Sequence, residues 1–215
     1  MKVAYPEFQP ADALGIADIN AAISVFARRI ASNFSNSEGI GEEGPLGLTD
    51  FLSVDFAVST ISATLISVQF SFDIYTGGAH SNQNVQTKNF GRSPFRELTL
   101  DQLPTYIKGK EFLLQVSNFC QEDIMRQKRN QLEKWSDGSA EQLREADEWE
   151  KNWIKTGAGP DWKNFENYWV EGDSLHFSFA PYQVASYAEG FFSCSMPFSK
   201  LEPLIRPEII EILKS

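Results

Sequence analysis

Apolar residues at Ile16, Ile19, Ile23, Phe26, Ile30 and Phe34 recur in steps of three and four, the spacing that gathers side chains on one face of a helix. Asp18, Asn20, Arg28 and Arg29 fall off that face, and Asp12 is the expected N-cap. The Gly-, Ser- and Glu-rich stretch Ser35 to Thr49, with Pro45, reads as a surface loop. The period then changes to two. Val54, Phe56 and Val58 alternate with Asp55, Ala57 and Ser59; Ile66, Val68, Phe70, Phe72 and Ile74 alternate with Ser67, Gln69, Ser71, Asp73 and Tyr75. Such alternation describes a long strand buried on one face. A turn over Thr76-Gly77-Gly78-Ala79-His80 and a strand from Gln83 to Phe90 complete an antiparallel meander, not a βαβ pattern.

Helical spacing returns in the second half. Thr99 and Asp101 supply cap chemistry for a short turn over Leu98 to Leu103. Leu113, Val116, Cys120 and Ile124 form the stripe of a longer helix that grows charged towards Trp135. Asp137-Gly138-Ser139 breaks it before a polar helix expected over Ala140 to Lys155. Strands follow over Phe165 to Val170, Leu175 to Phe179 and Phe191 to Pro197, with short helices around Phe198 to Leu204 and Pro207 to Leu213. The order helix, meander, helices, meander, helix predicts an α+β fold of antiparallel sheets with packed helices. Two lobes are expected, residues 1–97 and 98–215.

Composition leaves that picture intact. At 215 residues, 42% hydrophobic and 22% charged, the chain has enough apolar material for a sizeable core. Its 29 acidic and 19 basic residues give a net charge of −10, a field that repels nucleic acid and attracts a cationic protein. The same acidity also serves solubility alone. Cys120 lies on a helical apolar stripe and Cys194 alternates with Phe192 and Met196, so buried free thiols are the favoured reading and a single disulfide the alternative. No apolar run is long enough to span a membrane. Met1 to Pro6 lacks an apolar h-region and is not a signal peptide. The chain is therefore expected either to be cytoplasmic or to lack an export segment that once preceded it.

Candidate chemistry is sparse. There is no GxSxG elbow, Walker loop, HExxH or dinucleotide fingerprint. The two histidines, His80 and His176, are far apart in sequence, so neither a metal site nor a cofactor is expected. Gly77 and Gly78 before His80 suit a sharp turn or a close backbone approach. General acid–base work by His80 would need a partner within hydrogen-bond reach. Pro181 to Gly190 carries two tyrosines whose flat faces and hydroxyls suit a sugar- or protein-binding loop; a packed connection explains them equally well. Trp149, Trp153, Trp162 and Trp169 read as packing residues rather than a glycan platform.

Two segments carry a resemblance. Tyr75-Thr76-Gly77-Gly78-Ala79-His80-Ser81-Asn82 resembles the YTGGAHxN hallmark of the RsiV-type family. Phe179-Ala180-Pro181-Tyr182-Gln183-Val184-Ala185-Ser186-Tyr187-Ala188-Glu189-Gly190 resembles its PYxxAxYAxG hallmark, and Tyr5-Pro6-Glu7-Phe8 with Ile19-Asn20 is similar to its YP…IN entry. The resemblance implies a two-lobed α+β domain outside the cytoplasmic membrane, periplasmic or extracellular. It is similar to the ectodomain of an anti-sigma factor that binds lysozyme and to a region preceding the catalytic domain of peptidoglycan deacetylases. The sequence holds no sigma-binding, membrane-spanning or deacetylase segment, so only recognition carries over. The expectation is a non-catalytic binding domain for a cationic lysozyme-like protein or peptidoglycan glycan, using Tyr75, Gly77, Gly78, His80, Asn82, Pro181, Tyr182 and Tyr187. A cell-wall carbohydrate hydrolase with His80, Asp73 and Tyr75 near one cleft, a deacetylase-associated domain, or a structural envelope domain are the alternatives.

Overall fold

A computed structural model describes residues 1–37, 49–135 and 150–214. The chain is α+β and divides into two compact units, Met1–Leu98 and Thr99–Lys214. Most of the loop expected over Ser35 to Thr49, the Asp137–Ser139 break and the start of the polar helix, including Trp149, lie outside the described residues.

In the first unit the helix α1 (Ile16–Ser35) packs on a five-stranded sheet in the order β1 (Lys2–Val3), β2 (Phe51–Ile61), β3 (Leu65–Tyr75), β4 (Asn82–Arg92) and β5 (Phe95–Glu97). The periodic set Ile16, Ile19, Ile23 and Phe26 is buried against Val54, Ile66, Val68 and Phe70, with the Phe26 and Phe70 rings 4.9 Å apart. Each fully buried aliphatic side chain there contributes roughly 1.5–3 kcal/mol. One expectation is corrected. The N-cap is Gly15 at φ 74 and not Asp12, and glycine is required there because an added Cβ would stand 2.3 Å from the Arg92 carbonyl oxygen. The meander of β2, β3 and β4 is antiparallel as expected, and β1 adds to its edge in parallel, a pairing too short to leave a periodic signal. The YP…IN entry has a physical reason: Asn20 Oδ1 accepts from the Phe8 N–H and its Nδ2 donates to the Phe8 carbonyl, both at 2.9 Å.

In the second unit α2 (Gly109–Trp135) lies on a three-stranded antiparallel sheet of β6 (Tyr168–Glu171), β7 (Ser174–Phe179) and β8 (Phe192–Pro197). Residues 150–157 form a helix, α3, and α4 (Phe198–Leu201) and α5 (Pro207–Leu213) close the chain. The strand expected from Phe165 starts instead at Tyr168; Trp162–Phe165 is a 3-10 turn capped by Asp161, whose side chain accepts from the Lys163 N–H. Phe112, Val116, Cys120 and Ile124 are buried on one face of α2, and Phe192, Cys194 and Met196 on one face of β8. These faces meet, and the two cysteines form a disulfide with Cα atoms 5.4 Å apart. The free-thiol reading is thereby corrected. Each cysteine does sit in the core, but neither element's own periodicity reveals that the two stripes oppose each other.

Candidate functional site

The two hallmark segments lie in different units and are built differently. In the first unit the β3–β4 connection turns at Gly77 and Gly78, at φ 93 and 98, with nothing within 4 Å of where a Cβ would stand. Here glycine answers a backbone requirement, not a crowded neighbour. Tyr75 is 3% exposed: its ring stacks on Phe51 at 5.9 Å and its hydroxyl donates to the Gly78 carbonyl at 3.0 Å. It braces the turn from below. His80 and Asn82 are exposed, and His80 Nδ1 lies 2.9 Å from the Ser81 carbonyl oxygen. Asp73 shares the Tyr75 face of β3.

In the second unit the connection from β7 to β8 is fastened along its length. The Tyr182 N–H donates to the Ala185 carbonyl and the Gln183 N–H to the Ala180 carbonyl, each at 3.0 Å. Gln183 Nε2 donates to the carbonyls of Gly157 (3.0 Å) and Asn164 (2.9 Å), while its Oε1 accepts from the Ala180 N–H. Trp153 Nε1 donates to the Tyr182 carbonyl at 2.9 Å. Gly157 is obligatory, because a Cβ there would stand 1.7 Å from the Gln183 carbonyl oxygen. Val184 and Ala185 are buried plugs.

The next turn, Tyr187–Glu189, carries a capping box: the Glu189 carboxylate accepts from the Ser186 N–H at 2.9 Å and from its hydroxyl at 2.8 Å. Its other oxygen accepts from the ammonium of Lys128, a residue only 1% exposed. That ammonium also faces Glu150 at 3.8 Å and the Phe192 ring at 5.6 Å. Burial pushes the Glu189 carboxyl up, but the bonds from Lys128 and Ser186 outweigh it and hold it below the ordinary glutamate value. The carboxylate is therefore charged, and the turn fastened, throughout the neutral range.

What the loop displays is tyrosine. Tyr182 is 56% exposed and is the one non-glycine residue at positive φ (69) among the described residues. Its ring lies 5.6 Å from that of half-buried Tyr187, and Pro181 is half-buried beside it. An outward-facing Tyr182 ring beside a half-buried Tyr187, on a fixed backbone, has the chemistry of aromatic contact loops. His176 sits elsewhere on the sheet: Nδ1 is 2.7 Å from the Ser195 hydroxyl, Nε2 is 3.2 Å from the Glu171 carbonyl, and its ring stacks on Trp169. Among the described residues no group of three His, Cys, Asp or Glu side chains could hold a metal ion, and no helix is long and apolar enough to cross a membrane.

Residues 107–199 match one family, described as a protein of unknown function, DUF3298. That span contains the tyrosine loop and the capping box. Two solved structures are similar. One is a DUF3298 family member from Bacteroides fragilis NCTC 9343, 19% identical with a TM-score of 0.56, covering 93% of this chain and 69% of that one. The other, a DUF3298 family protein from Pseudomonas aeruginosa PAO1, is 14% identical with a TM-score of 0.51, covering 74% of this chain and 64% of that one. This chain thus spans about two thirds of their lengths, and at these identities the likeness is one of fold alone. No curated protein matches the chain.

Sequence reasoning singled out Pro181, Tyr182 and Tyr187 and read Trp153 as a packing residue, but gave no role to the other residues that hold the loop: Gln183, Ser186, Glu189 and Lys128. Ser186-Tyr187-Ala188-Glu189 has the S-x-x-E spacing of a capping box, so that part carried a readable signal. Lys128 carried none.

Proposed function

We propose that this chain is an extracytoplasmic, non-catalytic recognition domain whose β7–β8 loop contacts a cell-wall-related macromolecule, with a cationic lysozyme-like protein as the favoured partner. One observation carries the reading: Tyr182 is held at φ 69 on a loop fastened at Ala180, Gln183 and Glu189, with its ring outward against Tyr187. Holding a non-glycine residue there costs about 1–2 kcal/mol, and such a cost is tolerated where the side chain's direction matters. A rigid aromatic anchor gives up little conformational entropy on binding.

The net charge of −10 favours a cationic partner through faster, salt-sensitive association. The Cys120–Cys194 bond favours an oxidising compartment outside the cytoplasm. The RsiV-type hallmarks supply lysozyme as the partner to try first, and the tyrosine faces suit peptidoglycan glycan as the second.

Calorimetric titration of lysozyme into the protein at low and moderate salt is the test. The expected result is saturable heat that weakens with salt and is lost in Tyr182→Ala. Absence of heat at both salts removes lysozyme. A peptidoglycan-fragment titration that is equally silent removes the cell-wall reading.

A further inference from the structure

β4 pairs with β3 along its length in unbroken register, but β5 covers its other edge only at Phe90–Arg92. Two bonds fix which way the β4 backbone points. The Arg92 N–H donates inward to the Thr64 carbonyl at 2.8 Å, and the Asn89 carbonyl accepts on the opposite side from the Leu98 N–H at 2.7 Å. Because successive residues of a strand alternate, Gln83, Val85 and Thr87 turn their N–H and C=O groups outward as Asn89 does. Among the described residues no backbone group pairs with any of these three, and the Val85 N–H donates at 2.8 Å to Oδ1 of its own neighbour, Asn84. The unpaired edge runs from Asn82 to Lys88, stopped at one end by the glycine turn and at the other by Leu98, with Val85 at its midpoint. The opposite edge of the sheet is built differently. β2 has β1 laid against Ser53 and Val54, a charged residue at Asp55 and a register shift between Val58 and Thr60. Such devices keep a strand edge from pairing with another chain. From Asn82 to Thr87, β4 has no proline, no charged side chain and no bulge.

We propose that this edge joins a second copy of the chain, the two β4 strands pairing antiparallel about a two-fold axis through Val85. Val85 then faces Val85 of the other copy and Gln83 faces Thr87, each pair exchanging the two backbone bonds of an antiparallel ladder. On the other face of the strand Asn84 meets Gln86 and Asn82 meets Lys88, so no like charges stand opposite one another. Lys88 is already bound to Glu97 of its own chain. Asn84 gives up the Val85 N–H as that group reaches the carbonyl of the other strand. Register and order favour β4 itself over another extended segment. A strand laid here must clear Leu98 at one end and the glycine turn at the other, and the Asn82–Lys88 stretch of each copy lies between these stops on the other. β4 is also already extended and held by β3, whereas a disordered peptide must be ordered as it binds. A two-fold contact of this kind closes on itself and gives a dimer, not a fibre. One strand pair offers less than the ~800 Å² per partner of a standard interface, so the dimer is weak and reversible.

The test is sedimentation equilibrium of the full chain over a range of protein concentrations, at low and moderate salt. A reversible monomer–dimer equilibrium is expected, with a dissociation constant on the order of 100 µM. Added salt should tighten it, since two copies of net charge −10 repel at long range. Val85→Lys and Val85→Glu should each weaken the dimer about tenfold or more by setting like charges face to face. An equimolar mixture of the two variants should restore it, because opposite charges then meet at the axis. Gln83→Pro is a second probe that keeps Val85 intact. Residue 83 is exposed and its N–H takes no part in the ladder to β3, so proline there should weaken the dimer and leave thermal melting unchanged. A wild-type chain that stays monomeric up to about 1 mM overturns the proposal. So does a dimer that Gln83→Pro leaves as strong, or a mixture of well-folded Val85 variants that remains monomeric. None of these results depends on lysozyme binding.

Discussion

The glycine turn of the first unit and the tyrosine loop of the second both join antiparallel strands and both combine glycine with tyrosine, yet the two residue types exchange roles between them. In the turn, Gly77 and Gly78 stand out in open space and Tyr75 is the buried brace beneath. In the loop, Gly157 is the buried contact, on a neighbouring helix, and Tyr182 stands out. The positive φ that the turn assigns to glycine is taken by a tyrosine in the loop. A backbone conformation that glycine adopts without cost is maintained there for a large side chain, at some expense in stability. On the proposed reading this asymmetry assigns contact to the second region and chain reversal to the first, a division that the following substitutions test.

The largest test of the contrast is the disulfide. Closing a loop of 74 residues between Cys120 and Cys194 restricts the unfolded chain by about 4 kcal/mol on the chain-entropy account. Cys120→Ser with Cys194→Ser should lower the denaturant midpoint of the Thr99–Lys214 unit by an amount of that order. Amide exchange should rise around Ala180–Gly190 and stay unchanged around Gly77. Equal loss of protection in both regions would mean that the two are not separately supported.

Lys128 comes next. Lys128→Met removes the counter-charge that Glu189 and Glu150 share in a buried setting, and breaking one side of a buried pair costs about 3 kcal/mol. Acid should imitate it in part. Because the folded Glu189 carboxyl lies below its ordinary value, its contribution is complete above the unfolded pKa of about 4.3 and is lost as pH falls through the folded value. Loop protection followed by amide exchange should therefore hold through neutral pH and decline only in acid, and the decline should be absent in Glu189→Gln.

The legible part of the molecule was the part governed by a period. Ile16 to Phe26 and Ile66 to Ile74 announced α1 and β3 because each element buries one face continuously. Asp12 failed as a cap because the close approach of Arg92 to Gly15 decides the start of α1, and that approach is tertiary. The disulfide and the Lys128–Glu189 pair were hidden for the same reason: each joins α2 to an element some sixty or more residues later. The two glycine- and tyrosine-bearing segments were legible as turns, but only the fold separates Tyr75, which supports, from Tyr182, which projects.

The glycine turn should respond more mildly. Gly77→Ala and Gly78→Ala meet no atoms but force alanine to φ values near 93 and 98, at about 1–2 kcal/mol each. Thermal melting of the Met1–Leu98 unit measures this, and lysozyme titration of the same variants should be unaltered. If these substitutions abolish binding while the unit stays folded, the turn is a contact surface after all and the division of roles fails.

The smallest expected change in stability is the most informative. In Tyr182→Gly the strain of a left-handed tyrosine is relieved, worth about 1–2 kcal/mol. Set against it are the lost ring contact with Tyr187, about 0.5–1.5 kcal/mol, and the added freedom of glycine in the unfolded chain, about 0.4–1 kcal/mol. The bond from Trp153 Nε1 reaches the backbone carbonyl of residue 182, not its side chain, and survives. These effects offset to within about 1 kcal/mol, so the melting temperature should barely move. An aromatic anchor at a contact is nevertheless worth about 2 kcal/mol, and calorimetry should show affinity falling about thirtyfold. A side chain kept only for packing would give the opposite pair of results, with stability falling and affinity intact. Tyr182→Gly therefore separates a residue held for the fold from one held for a partner.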